Sequence, residues 1–396
     1  MKIGLFNDCF PPVMDGVSLT VKNYAEKLSR KGNEVTVVTP DEPGLQTDGK
    51  DYDIFSYMSL PVPRRHPYRW GLPQLDFPFQ YRISRMPFDI VHAHCPFSSG
   101  QVALKQAQRQ QIPIIATFHS KYREDFRRVI PNDYIVDRLV RQVVEFYEQC
   151  DEVWVPQASV GETLREYGYR GPMEVVDNGS EYAELVYSEK MKAEGRKLLY
   201  INKEEPLLLF VGQHIWEKNV GIIIEALARL TDIPWHMLFV GDGYARQDMI
   251  AKATQLGLTG NDDYRQDRIT FMGCVHDRRM LAQIYAAADL FLFPSIYDNA
   301  PLVVREAAAL HTPALVARGS NTAEVITDGT NGFLADADAE AYANRLRYLL
   351  SRPCLIDFSA GNAARTLVRS WTNIAEEVQD RYQHLIRRVQ RKQVAL

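Results

Sequence analysis

The sequence has little cysteine, and the cysteines it has are scattered. No two of the five form a C-x-x-C pair, and they stand at Cys9, Cys95, Cys150, Cys274 and Cys354. An odd, dispersed set excludes a disulfide-stapled secreted domain and a cysteine-based structural zinc site. It is typical of a reducing compartment, and the opening MKIGLFNDCF follows a strand pattern instead of a signal-peptide layout. We therefore expect a cytoplasmic protein.

Long apolar runs and an excess of basic charge are also absent. No apolar stretch approaches the ~20 residues that a transmembrane helix needs, so any membrane contact is expected to be peripheral. The formal net charge of -4 argues against a generic nucleic-acid-binding protein. At 396 residues the chain exceeds one ordinary hydrophobic core, which predicts two domains.

Both halves of the chain repeat one pattern, in which an apolar strand leads through a polar or glycine-bearing loop into a helix. The predicted strands include residues 2–7, 34–39, 89–94, 206–211, 235–240 and 290–293. This alternation predicts an α/β protein built from two Rossmann-like domains that face each other across a cleft. We place the domains at residues 1–178 and 200–375, with the polar segment 188–205 as the separator.

Two predicted strands of the first half end in histidines. His92 and His94 close one strand, and His119 follows the next. Because the carboxyl ends of parallel strands meet at one edge of a sheet, these side chains are expected to converge in one crevice. Histidine suits hydrogen bonding to a sugar or sharing a proton near neutral pH. A metal site is the weaker interpretation, since no carboxylate or cysteine set completes it.

Three further features of the first half each have two interpretations. Gly16, at the start of a helix, either lets the backbone approach a ligand closely or is a plain turn glycine. The basic and aromatic stretches Arg64–Trp70 and Lys121–Arg128 are either solvated loops or contacts for an acceptor or a membrane surface.

The stretch from Phe291 to Leu310 organises the second half. It reads as a buried strand, a polar loop and a helix, and it carries two carboxylates eight positions apart. Asp298 lies in the loop at the strand's carboxyl end, and Glu306 lies one turn into the helix. Such strand ends bind ligands, and helix N-termini attract phosphate. The unit therefore predicts one carboxylate near a sugar and one near a ribose.

Other loops of the second half extend this inventory. They are Gly212 with Lys218, the pair Gly241 and Gly243, and the run from Gly319 to Thr322. Together they offer backbone N–H groups, a cation and hydroxyl acceptors, which a nucleotide diphosphate requires. The residues alone thus indicate binding of a nucleotide sugar or a dinucleotide.

The ordered combination of motifs resembles the family 4 retaining glycosyltransferases of the GT-B class over nearly the whole chain. The matching pieces are DCFPPVMDGV, DIVHAHCPF, ATFHSKY, VVDNGS, FVGQHIWEKN, VGDG, FPSIYDNAPLVVREAAA and SWTNIAEEVQDRY. The Tyr297–Asn299 loop and the Val303–Glu306 helix are most similar to the subgroup that glucosylates diacylglycerol and related lipids.

The resemblance implies roles for matching positions. Lys218 would grip the donor pyrophosphate, Glu306 the ribose hydroxyls, and Asp298 with the backbone through Leu302 the donor sugar. His119 would lie near the reacting sugar. The implied catalytic set is His119, Asp298 and Lys218, and the implied donor set is Gly16, Gln213, Lys218, Gly241, Asp298, Asn299, Ala300, Pro301, Leu302 and Glu306. The implied acceptor set is His94, Arg64, Arg65 and Tyr122. The terminal helix, about residues 376–396, would pack back on the first domain.

Three positions depart from the family pattern. Asp298 replaces a usual glutamate, which shortens the reach of the carboxylate, and Asp15 precedes Gly16 in place of a second glycine. Gln213 replaces a usual arginine and so removes a cation from the expected pyrophosphate clamp. Arg305 and Arg318 are the candidates to compensate for it.

The expected activity is therefore retaining, metal-independent transfer of a hexose from a nucleotide sugar, with UDP-glucose or UDP-galactose favoured. The acceptor would be the hydroxyl of a lipid such as diacylglycerol or ceramide. The nucleotide sugar is a co-substrate, and no cofactor or metal is expected. The protein would contact anionic lipid peripherally on the inner face of the cell membrane, aided by Tyr68, Trp70 and Phe126. Alternatives are a soluble or polysaccharide acceptor, a nucleotide-sugar epimerase or hydrolase, and a non-catalytic binding subunit.

Overall fold

The computed structural model describes residues 1–62, 68–202, 204–260 and 267–394. The chain divides into two compact units, of which the first comprises Met1–Asn178 with Trp371–Leu396 and the second Gly179–Ser370. Each unit contains a parallel sheet with helices between its strands, so the α/β prediction of two Rossmann-like domains is confirmed.

The first unit has a seven-stranded parallel sheet in the order β3-β2-β1-β6-β7-β8-β9, and β4 and β5 form a separate antiparallel pair. The strands are β1 (Lys2–Phe6), β2 (Glu34–Pro40), β3 (Asp53–Tyr57), β4 (Ser59–Pro61), β5 (Arg69–Gly71), β6 (Ile90–Ala93), β7 (Ile114–Thr117), β8 (Glu152–Val155) and β9 (Glu174–Val175). The helices are α1 (Gly16–Arg30), α2 (Phe77–Ile83), α3 (Ser98–Gln110), α4 (Tyr122–Arg127), α5 (Asp133–Glu148) and α6 (Ala158–Glu166).

The central strands of this sheet read as continuous apolar runs because they are buried on both faces. Every residue of β6 and β7 is buried, and the two strands pair in parallel with His92 opposite Ile115. This register brings the segments that follow the two strands to one edge of the sheet.

The last helix, α14 (Trp371–Val394), belongs to the first unit, as expected, and begins five residues earlier than about 376. Its buried residues recur at helical spacing: Trp371, Ile374, Val378, Tyr382 and Leu385. The helix packs against α1, and Nζ of Lys31 forms an ion pair at 2.8 Å with Glu376. Burial of this apolar stripe holds the end of the chain on the first unit.

The second unit has a six-stranded parallel sheet in the order β12-β11-β10-β13-β14-β15. The strands are β10 (Leu207–Val211), β11 (His236–Val240), β12 (Ile269–Gly273), β13 (Leu290–Phe293), β14 (Ala314–Ala317) and β15 (Phe333–Ala335). The helices are α7 (Glu189–Leu198), α8 (Val220–Ala228), α9 (Arg246–Gln255), α10 (Arg278–Ala287), α11 (Leu302–Ala309), α12 (Ala339–Leu350) and α13 (Pro353–Thr366), with 3-10 turns at Trp216–Lys218 and Asn321–Val325.

Segment 188–205, which was predicted to separate the domains, is part of the second unit. Ser188 caps α7, whose Gly195 lies so close to α10 that a Cβ would meet the carbonyl oxygen of Gln283 at 2.2 Å. The buried guanidinium of Arg196 forms an ion pair with Asp289 at the start of β13. The polar composition of this segment is typical of a boundary between domains. Gly195 and the ion pair of Arg196 with Asp289 nevertheless dock the segment on the second unit.

No helix in the described part of the chain combines the length and the apolar character needed to cross a membrane.

Candidate functional site

The second unit carries its candidate site at the carboxyl ends of β10, β11, β13 and β14. These four strands are neighbours in a parallel sheet, so the loops that follow them share one edge. The loops are residues 212–219, 241–245, 294–301 and 318–320, and they include most of the predicted donor residues.

Lys218 and Asp298 lie at the centre of this edge and contact each other. The Nζ of Lys218 donates a hydrogen bond to Oδ1 of Asp298 at 3.0 Å, and the two side chains are only 11% and 18% exposed. The Oγ of Ser295 donates to the other carboxylate oxygen of Asp298 at 2.6 Å. The cation assigned to a phosphate and the carboxylate assigned to a sugar are thus direct partners in this structure.

Glu306, on α11, is almost fully buried and held from two sides. One carboxylate oxygen accepts from Nη2 of Arg278 at 2.7 Å, and the other accepts from the hydroxyl of Tyr285 at 3.0 Å. Arg278 also lies 2.8 Å from a carboxylate oxygen of Glu181. Arg278, Tyr285 and Glu181 were missed in the sequence because no motif or spacing connects them to Glu306. The carboxylate keeps further lone pairs that can accept ribose hydroxyls.

The loop between Asp298 and α11 is tied to the loop after β14. Nδ2 of Asn321 donates to Oδ1 of the buried Asn299 at 2.8 Å. Ala300 and Pro301 follow, and Leu302 opens α11, whose first N–H groups have no partner within the helix. Pro301 has no N–H group, so the backbone donors available to an anion at this point are those of the first turn of α11.

Gly241 is required by backbone packing. Its φ of 132° is in the left-handed region, and a Cβ would meet the carbonyl oxygen of Gly212 at 2.0 Å. Its N–H donates to the carbonyl of Gly273 at 2.8 Å and is therefore already engaged. The predicted donor role of Gly241 thus reduces to close packing of the two loops that carry the site.

Neither arginine proposed to compensate for Gln213 does so in this structure. The side chain of Gln213 is exposed, as a contact residue would be. Arg305 is buried and donates from Nη1 to the carbonyl of Leu367 at 3.0 Å, so that suggestion is wrong. Arg318 pairs with Asp336 through Nε at 3.1 Å, and both side chains are more than half exposed.

Gly16, in the first unit, is the first residue of α1 and leaves open space around it. Asp15 caps the helix, since its Oδ1 accepts from the N–H of Ser18 at 2.7 Å while Ser18 Oγ accepts from the N–H of Asp15. A Cβ added at Gly16 would meet no protein atom within 4 Å, and its φ is not positive. Nothing in the fold requires glycine here, which favours close approach of a ligand over a plain turn.

The predicted convergence of the strand-end histidines is confirmed. Nδ1 of His94 lies 3.1 Å from Nε2 of His119, and the two rings are stacked with centroids 5.4 Å apart. His92 turns away from them toward the interior, where its nitrogens contact the hydroxyls of Tyr382 at 2.6 Å and Thr117 at 2.7 Å. Burial lowers the pKa of His119 to about 4, so its ring is neutral near pH 7.

The four predicted acceptor residues do not form one group in the described structure. His94 is buried beside His119. Tyr122 is wrong as a contact residue, because its ring is buried among Phe97, Phe118 and Phe126 in the core of the unit. Arg64 and Arg65 lie outside the described residues. Within the described ranges, no group of three or more histidine, cysteine and acidic side chains is placed to hold a metal ion.

Family models match both units of the chain. The model described as Glycosyltransferase Family 4 matches residues 14–182, and the model described as Glycosyl transferases group 1 matches residues 205–352. Together these matches span most of the sequence. The chain belongs to glycosyltransferase family 4. The fold is accordingly GT-B, and the protein is a glycosyltransferase that transfers a sugar.

One relative is similar to the chain in sequence, and two solved structures share its fold. The glycosyltransferase is 26% identical over 364 residues to alpha-monoglucosyldiacylglycerol synthase of Streptococcus pneumoniae, covering 89% of this chain and 79% of that protein. Sucrose-phosphate synthase from Thermosynechococcus elongatus matches it with a TM-score of 0.78 at 22% identity, over 97% and 98% of the two chains. Anabaena HepE in complex with UDP-glucose gives a TM-score of 0.76 at 18% identity, over 97% and 100%.

His214, in the loop that follows β10, is fully buried against aromatic rings. The ring centroids of Phe210 and Phe239 each lie 6.0 Å from its own, and Phe271 lies at 6.3 Å. Within the part of the chain that the structure describes, neither of its ring nitrogens has a hydrogen-bond partner. Its carbonyl accepts from the N–H of Ala245, so the residue anchors the loop by its backbone. An unpaired buried imidazole costs stability.

We expect His214→Leu to raise the free energy of unfolding by about 1 kcal/mol at pH 7 because it removes that unpaired group. Burial lowers the pKa of His214 to about 4, while an unfolded histidine titrates near 6.5. Between these values the unfolded chain binds more protons, so wild-type stability falls as the pH drops from about 6.5 to about 4. The difference in free energy of unfolding between His214→Leu and the wild type should therefore grow as the pH falls from about 6.5 to about 4.

Urea unfolding of both proteins at pH 7.5 and pH 5 measures these differences. His236→Leu is the matched control, because Nε2 of His236 already contacts the hydroxyl of Thr270 at 3.0 Å. A variant of His214 that is less stable than wild type at both pH values would show that the ring stabilises the loop.

Proposed function

We propose that this glycosyltransferase moves glucose or galactose from a uridine diphosphate sugar to the hydroxyl of a lipid, with retention at the anomeric carbon. One observation carries the proposal. Lys218, Asp298 and Glu306 share one strand-end edge and offer a cation for the diphosphate, a carboxylate for the sugar and a second carboxylate for the ribose. UDP-glucose as donor is supported by HepE, whose complex with it shares the fold.

The proposed chemistry needs charge stabilisation more than a protein nucleophile. The leaving diphosphate carries the charge that develops in the transition state and takes the proton of the acceptor hydroxyl on the same face of the sugar. Lys218 and the N–H groups at the start of α11 are fixed donors for that charge, which is electrostatic catalysis. The positive groups that the reaction needs are thus supplied by the chain, and we propose a metal-independent and cofactor-free reaction on this basis.

A lipid acceptor is supported by a relative and by one surface of the first unit. The relative from Streptococcus pneumoniae is named as a glycolipid synthase. The surface, here called the hairpin face, is formed by β4, β5 and α2 and exposes large apolar side chains: Leu60 (53%), Trp70 (64%), Phe77 (75%) and Tyr81 (59%). Arg82 lies on α2, and Arg85 follows the helix, with its guanidinium over the ring of Tyr81 at 3.7 Å. Apolar and basic groups side by side favour the headgroup region of an anionic leaflet.

The hairpin face revises which aromatic side chains anchor the protein in this proposal. Trp70 remains exposed, but Phe126 stacks on Tyr122 and packs against the core, so it is removed from the set. We accordingly propose peripheral attachment to the inner face of the cell membrane through Trp70 and Phe77.

Sedimentation with liposomes tests the attachment. We expect binding to rise with the anionic lipid fraction and to fall with added salt, since each Lys or Arg near the surface adds about 1 kcal/mol. Trp70→Ser combined with Phe77→Ser should leave most of the protein in the supernatant. Arg64→Ser with Arg65→Ser should weaken binding at low salt and make it less dependent on salt, because fewer charges remain to be screened. Tyr200→Ser, which alters a 96% exposed aromatic residue of the second unit, is the control. Wild-type protein that stays in solution with anionic vesicles at low salt would contradict the membrane proposal.

The activity itself is tested with UDP-glucose and UDP-galactose against diacylglycerol, ceramide and soluble sugars. Mass spectrometry identifies the glycoside, and NMR of its anomeric proton distinguishes retention from inversion. Turnover of the donor without an acceptor would indicate an epimerase or hydrolase. Donor binding without any glycoside would indicate a non-catalytic subunit, and a product only with soluble sugars would replace the lipid acceptor.

A further inference from the structure

Three histidines of the first unit form a row at the ends of two adjacent strands. The rings of His92 and His94 are stacked with centroids 4.1 Å apart, and His94 is stacked on His119 at 5.4 Å. A hydrogen bond joins Nδ1 of His94 and Nε2 of His119 at 3.1 Å, and the tautomers of the two rings decide which nitrogen donates. Tyr24 meets the rings of His92 and His94 from the side, at 6.0 and 5.5 Å.

The first ring of the row is fixed at both nitrogens. Nδ1 of His92 contacts the hydroxyl of Tyr382 on α14, and Nε2 contacts the hydroxyl of Thr117 on β7. The ring of Tyr382 stacks on Trp154, and the side chains of His92, Trp154 and Tyr382 are fully buried. His92 is therefore a rigid surface against which His94 is held.

The second ring has one nitrogen engaged and one unpaired. Nε2 of His94 is buried and, among the residues that the structure describes, has no hydrogen-bond partner. Burial lowers the pKa of both His94 and His119, so each neutral ring has one N–H and one lone pair. An orphaned buried N–H is rarer and costlier than an orphaned acceptor. The hydrogen of His94 thus belongs on Nδ1.

We propose that His94 is a positioning residue that fixes the tautomer of His119. The Nδ1–H of His94 donates to Nε2 of His119, which leaves the hydrogen of His119 on its Nδ1. Any contact that His119 makes through Nδ1 is then made as a hydrogen-bond donor. This deepens the proposed function, since it assigns His119 to holding an oxygen of the substrate and not to removing a proton from it.

The tautomer is measured without substrate, so this arm does not depend on the proposed function. Long-range proton–nitrogen correlation spectra of protein labelled with ¹⁵N-histidine report which ring nitrogen carries hydrogen. We expect Nε2 of His119 and Nε2 of His94 to be unprotonated at pH 7. Hydrogen on Nε2 of His119 would overturn the proposal.

A pair of substitutions separates hydrogen bonding from packing. His94→Asn places an amide N–H near the position of Nδ1 but loses packing volume, whereas His94→Leu keeps the volume and loses the donor. We expect kcat for sugar transfer to fall at least ~10-fold in His94→Leu, with KM for the donor sugar nearly unchanged, and to recover in large part in His94→Asn. If His94→Leu were as active as His94→Asn or more active, the result would show that His94 only fills space. Correct spectra from a wild-type protein without transferase activity would uphold the tautomer and reject the proposed function.

Discussion

Replacement of Lys218 by alanine is expected to weaken donor binding by roughly 10- to 150-fold, which corresponds to about 1.5–3 kcal/mol for a charge-assisted hydrogen bond. The side chain is only 11% exposed and lies at the edge of the sheet where the donor loops meet. Arg305 is directed to the carbonyl of Leu367 and Arg318 to Asp336, so neither replaces the lost cation without leaving its own partner.

The ion pair of Lys218 with Asp298 adds a second part to this prediction. If the diphosphate binds at Lys218 as proposed, we expect its oxygens to compete with Asp298 for the ammonium group and the carboxylate to be released toward the sugar. The free energy of donor binding therefore includes the loss of a partly buried ion pair. Because the variant has lost the cation that would contact the diphosphate, its affinity should depend on salt less steeply than that of the wild type.

Isothermal titration calorimetry with UDP and UDP-glucose measures both effects. Lys197→Ala, at an exposed lysine on α7 of the same unit, is the matched control and should bind both ligands as the wild type does. Thermal unfolding checks that Lys218→Ala is folded with Asp298 left unpaired. Equal affinities in Lys218→Ala and wild type would place the diphosphate elsewhere.

The two carboxylates are expected to respond differently when each is converted to its amide. Glu306→Gln should weaken UDP and UDP-glucose by the same factor, on the order of 10-fold or more, because both ligands contain the ribose. Asp298→Asn should weaken UDP-glucose alone, since its carboxylate is assigned to the sugar. The affinity of Asp298→Asn for UDP should equal or exceed that of the wild type, because Lys218 is released from its ion pair.

The surroundings of Glu306 supply the control for this comparison. Tyr285→Phe removes the hydrogen bond from the tyrosine hydroxyl to the carboxylate of Glu306 but keeps the charge of the carboxylate and its contact with Arg278. We expect this variant to bind UDP within a few-fold of wild type. If Asp298→Asn weakened UDP while Glu306→Gln spared it, the assignment of the two carboxylates would be reversed.

The sequence by itself determined the α/β class, the membership of the family and the edge on which the site lies. Its apolar runs mark buried parallel strands, and polar residues after such strands must meet at their carboxyl ends. That reasoning brought His94 and His119 together, and the structure confirms it. The same reasoning placed Lys218 and Asp298 at one edge, although their roles toward a donor stay predictions.

Only the tertiary structure decided which side chains contact each other within these regions. Lys218 and Asp298 are 80 positions apart, and their ion pair depends on the adjacency of β10 and β13. The resemblance implied that Tyr122 contacts the acceptor, yet helix α4 directs its ring into the core.

The partners of Arg305 and Glu306 also could not be predicted from the sequence. Arg305 and Glu306 are neighbours on α11, and successive helical residues point about 100° apart. One therefore reaches the end of α13, while the other meets Arg278 and Tyr285 of α10. Local periodicity fixes the face on which a side chain lies, but its partner is fixed by which element packs there, and that depends on the whole fold.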